Sequence, residues 1–133
     1  MATITEDYVS FEIAKLLKEK GFDEDCWCWY EEDGYLRESN DDFGVQSNSW
    51  HVVDDDEFNC SAPTPQMAMK WLREVHKIFI EISVSIDLNG KYHYRYFILN
   101  KECKYVIDIE DQMFDTYEEA CEAAIKYCLE NLI

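Results

Sequence analysis

Basic residues are scarce in this chain. Only 12 Lys and Arg stand against 29 Asp and Glu in 133 residues, a formal net charge of -17. A field of that sign repels phosphate backbones, anionic membranes and free nucleotides, so neither nucleic acid nor membrane is an expected partner. Glycine and proline are few as well, 4 and 2. No Gly/Ser linker, low-complexity tract or internal repeat is visible. No apolar run approaches the roughly 18 residues of a membrane span. Residues 1–10 lack the basic and apolar regions of a secretory signal, which makes the cytoplasm the expected location. The motifs G-x-S-x-G, H-E-x-x-H, G-x-G-x-x-G and the P-loop are all missing. No catalytic residue and no cofactor is therefore expected, and an unrecognised enzyme is the weakest alternative.

What is present is apolar content. Hydrophobic residues make up 47% of the chain and aromatic residues 15%, enough to bury a core. The acids are uneven. Residues 1–61 hold 17 acids and 4 bases, a net -13, and residues 62–133 hold 12 acids and 8 bases, a net -4. The organisation expected is an acidic helix and short-strand unit over 1–61 and a second unit over 62–133, packed as one compact domain. The six cysteines read as reduced thiols that serve as small apolar residues.

Along the chain, residues 5–20 read as a helix, with Val9, Ile13, Leu16, Leu17 and Lys20 at helical spacing and Gly21 at the stop. Residues 26–30 (CWCWY) read as a short buried strand. A turn through EEDG precedes a return strand that starts at Tyr35 and Leu36. Residues 39–49 are loop-like, residues 50–53 suit a short strand, and residues 54–63 form an acidic connector. A helix then starts near Thr64 and Pro65, with Met67, Ala68, Trp71, Leu72 and Val75 as its apolar stripe. Residues 78–86 alternate as a half-buried strand does. Asn89-Gly90 predicts a two-residue hairpin loop, because both central positions need positive φ. The return strand is residues 92–99, and a third strand follows at 104–109. Thr116 and Glu119 form a T-x-x-E capping box for a closing helix, whose apolar face is Ala120, Ala124, Tyr127, Cys128 and Leu132.

The fold class is α+β. The second half runs α-β-β-β-α, with a three-stranded antiparallel sheet covered on one face by two helices. A two-residue loop makes partner numbers in the hairpin sum to 179. That pairs Ile82 with Phe97 and Ile80 with Leu99 beneath the helices. Tyr92, Tyr94 and Tyr96 then stripe the opposite face, and Arg95 falls awkwardly beside Val84 on the core side.

The α-β-β-β-α order resembles the double-stranded-RNA-binding domain. The closing helix is similar to that family's last helix at Ala120, Ala123, Ala124, Leu129 and Leu132. The resemblance implies the fold. It does not carry the activity, because the family grips phosphates with a lysine cluster at the start of this helix. Here Tyr117, Glu118, Glu119 and Glu122 stand at those positions. A second resemblance covers nearly the whole chain. VSFEIAKLLKEKGFDEDCWCWY, APTPQMAMKWLREVHKI and TYEEACEAAIKYCLENLI look like small uncharacterised proteins of Bacteroidales gut bacteria and their phages. It implies a phage or prophage accessory protein and carries no catalytic residues.

Two groups are candidates for a partner surface. One is acidic: Glu31, Glu32 and Asp33, with Asp54, Asp55, Asp56 and Glu57, whose charge would steer the chain toward a protein with a basic surface. The other is the aromatic stripe of Tyr92, Tyr94 and Tyr96, which suits packing of the first unit with Trp27, Trp29 and Trp50, a homodimer contact, or an outside partner. The function expected is a non-enzymatic acidic protein-binding module. The alternatives are a nucleic-acid mimic that blocks a host DNA- or RNA-binding protein, and an RNA-binding-fold relative with residual RNA binding. Zinc at Cys26 and Cys28 with His51 or Cys60 is disfavoured, because no second Cys pair with ligand spacing exists. A cation on the carboxylates of 54–57 is disfavoured because adjacent side chains diverge and no EF-hand spacing is present.

Overall fold

A computed structural model describes residues 4–51, 58–106 and 112–133 of the chain. The fold is α+β and divides into two compact units, residues 1–66 and 67–133. The sequence places its division after residue 61, one residue before the end of a strand (residues 58–62) of the first unit.

In the first unit α1 spans Phe11–Glu19. It starts six residues later than its apolar spacing predicts. Ser10 is the reason: its hydroxyl accepts the Ile13 N–H and caps the helix. Just before it, the Val9 N–H donates to the Pro63 carbonyl at 3.0 Å, a partner outside the helix. The helix buries Ile13, Ala14 and Leu17 and packs on a strand. The strands are β1 (Cys28–Glu31), β2 (Leu36–Glu38) and β3 (Phe58–Ala62), an antiparallel sheet in the order β2-β1-β3. Residues 58–62 (FNCSA) have no clean alternation, and the sequence reads as a connector there. They are a strand because β1, a central strand, offers them a ladder: Cys28 pairs with Ala62, Trp29 with Ser61 and Tyr30 with Cys60. Trp50 and His51 are not in a strand, and residues 52–57 lie outside the described residues.

The second unit opens within α2 (Pro65–His76), which has Pro65 at its first position as predicted. Strands β4 (Phe79–Ile86) and β5 (Tyr92–Leu99) form a hairpin, and α3 (Tyr117–Asn131) packs on both. The α3 cap is the expected one. The Thr116 hydroxyl accepts the Glu119 N–H at 3.1 Å, and the Glu119 carboxylate reaches back to the Asp115 N–H. The core is drawn from Ala120, Cys121, Ala124, Ile125, Cys128 and Leu129 of α3, with Tyr96 and Ile98 of β5. Among the described residues this sheet has two strands rather than the expected three: Tyr105 forms only an isolated bridge with Leu99, and the Val106 N–H donates to the Ile98 carbonyl. Residues 107–109 of the expected third strand lie outside the described residues.

The hairpin register differs from the expected one by a single residue. Partner numbers sum to 178: Ile80 faces Ile98, Ile82 faces Tyr96, Val84 faces Tyr94 and Ile86 faces Tyr92. The loop has three residues, Leu88 to Gly90, between paired Asp87 and Lys91. The Asp87 carboxylate accepts the N–H groups of both Asn89 and Lys91, at 2.8 and 3.0 Å. Only Gly90 then turns left-handed, at φ 81°. Because side chains alternate with period 2, the slip moves the tyrosines to the isoleucine face. The expected tyrosine stripe on the opposite face is thus overturned. Arg95 now sits opposite Ser83, away from the core face, and its guanidinium lies over Phe97.

Candidate functional site

Each expected site group has a different fate. Of the acids in the first unit, Glu31 and Asp33 are engaged locally. Arg37 reaches both, at 3.3 and 2.8 Å, and Asp33 also accepts the Tyr35 N–H to close the turn. Gly34 stands in that turn at φ 82°, and a Cβ there would come within 3.1 Å of the Phe11 ring. The sequence shows three adjacent acids. The fold puts a cation on two of them and leaves Glu32 at the surface. Asp54, Asp55, Asp56 and Glu57 lie outside the described residues.

The loop between β2 and β3 carries more than its polar composition suggests. Asn40 accepts the N–H groups of Asp42 and Phe43, which fixes a turn. Gln46, 1% exposed, bridges Cys26 through two backbone hydrogen bonds of 2.8 Å. Asn48 ties the loop at both ends of its amide, donating to the Phe22 carbonyl and accepting the Ser61 N–H. These anchors hold Phe43, Val45 and Trp50 outward, at 42%, 47% and 58% exposure. Asp41 and Asp42, directly before Phe43 in the chain, are exposed as well. The loop therefore exposes apolar side chains and acids together. Only its acidic and aromatic composition was visible beforehand.

Beside this loop is an open depression of about 320 Å³ lined by Lys18, Gly21, Phe22, Asp23, Asn48 and Ser49. Its polar groups serve the fold. Lys18 donates to the Asn59 carbonyl, and Asp23 accepts both the N–H and the hydroxyl of Ser49. Those Ser49 bonds hold the Asp23 carboxyl below its usual range.

The three tyrosines of β5 also part company. Tyr96 is 5% exposed, and burial pushes its hydroxyl pKa up. Tyr94 is half-buried, edge-on to Tyr117 at 6.3 Å. Tyr92 alone is exposed. It shares the open end of the hairpin with Val84, Ile86 and Leu88. This apolar end was missed because the wrong register placed Tyr92 and Ile86 on opposite faces.

The buried cysteines and the three histidines have structural surroundings. Burial pushes the Cys26 and Cys128 thiols up to about 12, and Cys60 and Cys121 up to about 11. Thiols held so far up carry no reactive thiolate at neutral pH. His51 stacks on Phe58, His76 meets the Trp71 ring edge-on, and His93 pairs with Asp87 at 2.9 Å. Among the described residues no three His, Cys, Asp or Glu side chains gather as metal ligands. No described helix is long and apolar enough to cross a membrane.

The Asp87–His93 pair sets an acid-side expectation. The Asp87 carboxyl is held below its usual range, first by His93 and then by the Lys91 N–H. A depressed carboxyl contributes stability that is present above its unfolded pKa and lost as pH falls through the folded one. Asp87→Asn is expected to flatten the loss of stability below about pH 4. Urea melts of both proteins across that range check this, and parallel curves would remove Asp87 from the account.

No protein-family model matches the chain, and no curated protein or solved structure matches it either.

Proposed function

We propose that this chain is a non-enzymatic, acidic protein-binding module of the phage or prophage accessory kind, acting in the cytoplasm on a protein with a basic surface. One observation carries the reading. Residues 1–66 hold 17 acids and 4 bases, and within that unit one loop exposes the acids Asp41 and Asp42 together with Phe43, Val45 and Trp50. Charge of one sign accelerates encounter with the opposite sign, and an exposed aromatic core supplies affinity once the surfaces meet. The composition repels phosphate, and the acids Glu118 and Glu119 open α3 where an RNA-binding relative would need cations. Both features favour a protein partner over RNA.

The test is a nuclease-treated pull-down from a Bacteroidales lysate, using the wild type, Trp50→Ala, and the combined Asp54→Asn, Asp55→Asn, Asp56→Asn, Glu57→Gln variant. A basic protein held at low salt and released at high salt is expected. Its recovery should fall at least about tenfold with Trp50→Ala, the loss for an anchor worth more than about 1.4 kcal/mol. Equal recovery by all three proteins would sink the reading.

A further inference from the structure

We infer that β4 is a self-pairing edge, through which two copies of this chain join into one continuous antiparallel sheet. The inference is independent of the basic partner proposed above. It begins with the two edges of the hairpin. The outer edge of β5 is occupied: Tyr94 exchanges two backbone bonds with Phe114, Ile98 accepts the Val106 N–H, and the Gln112 side chain serves both backbone groups of Tyr96. The outer edge of β4 pairs with nothing among the described residues.

The ladder fixes which groups that edge presents. The Asp87 N–H donates to the Lys91 carbonyl, so the odd-numbered residues of β4 bond to β5. Ile80, Ile82, Val84 and Ile86 therefore direct their N–H and C=O groups outward. Eight residues make a long edge, and it has none of the devices that usually block pairing: no Lys, no Pro and no bulge. Its one charge is Glu81.

Two-fold symmetry makes this edge complementary to itself. With Ser83 on the axis, partner numbers sum to 166. Ile82 then meets Val84 of the second copy, and Ile80 meets Ile86, each pair able to exchange both backbone bonds. All four side chains lie on one face, so apolar meets apolar along the seam. Val84 and Ile86, now 57% and 60% exposed, gain neighbours there. Glu81 falls opposite Ser85, so no like charges oppose each other. The occupant with this match is a second copy of the chain. The edge belongs to the unit of lower charge, net -4 against -13, where approach of like copies costs less.

Light scattering on the full chain over a wide concentration range tests the pairing. The wild type should show the mass of two chains when concentrated and fall toward one on dilution. Val84→Lys places a charge on an exposed edge position, so it should keep its thermal melt and show one chain throughout. Register is read by cysteine. On a Cys103→Ser background, Ser83→Cys brings two thiols to the axis, where Cα atoms about 4.5 Å apart suit a disulfide. Oxidised glutathione should link that variant into covalent dimers, and Ser85→Cys, which faces Glu81, should stay unlinked. A single-chain mass for the wild type at every concentration overturns the inference. So does a two-chain mass for Val84→Lys, or equal linking of the two cysteine variants.

Discussion

Gln112→Ala is expected to cost about 2–6 kcal/mol, since it strands two buried backbone groups at roughly 1–3 kcal/mol each. Gln112 is 8% exposed and lies beside the middle of β5. Its amide nitrogen donates to the Tyr96 carbonyl at 2.9 Å, and its amide oxygen accepts the Tyr96 N–H at 2.6 Å. The side chain thus performs the pairing that a neighbouring strand residue would otherwise supply. Gln112→Met, nearly the same length without the bonds, should lose about as much, which separates hydrogen bonding from packing. Urea unfolding followed by circular dichroism measures both. A loss under about 0.5 kcal/mol in each would mean that water replaces the amide there.

The second large effect concerns α2. Its apolar spacing treats Leu72 and Val75 as one stripe, but the fold treats them differently. Leu72 is fully buried and Val75 is 55% exposed. Leu72→Ala is therefore expected to cost about 2–5 kcal/mol, from lost burial and the cavity left behind. Val75→Ala should stay within about 0.5 kcal/mol, as surface substitutions do. The same melts compare them, and equal losses would restore the stripe as the sequence draws it.

The acidic candidate is explained by the same distinction between near and distant information. Three consecutive acids are visible in the sequence at 31–33. That Arg37 closes on two of them depends on β2 returning antiparallel to β1, which sets Trp29 opposite Arg37. The exposure of Phe43, Val45 and Trp50 is similarly hidden. Their outward presentation comes from Asn48, which reaches to Phe22 and Ser61, far away in sequence.

Signals confined to a few neighbouring residues were sufficient by themselves for several elements. Thr116 with Glu119 marks the start of α3, Pro65 the start of α2, and strict alternation gives β4 and β5 nearly to the residue. Each depends on one helical turn or one pleat, so no distant partner is needed. The overall charge is likewise a property of composition alone. The tertiary structure decided the rest. Residues 58–62 became β3 only because β1 had a free ladder beside it. The tyrosine face turned over because the Asp87 carboxylate captured two N–H groups and widened the loop by one residue. A turn's hydrogen bonds compete within a fraction of their own strength, and the buried apolar face settles which arrangement survives. That competition is decided by what lies across the sheet, which a linear pattern does not record.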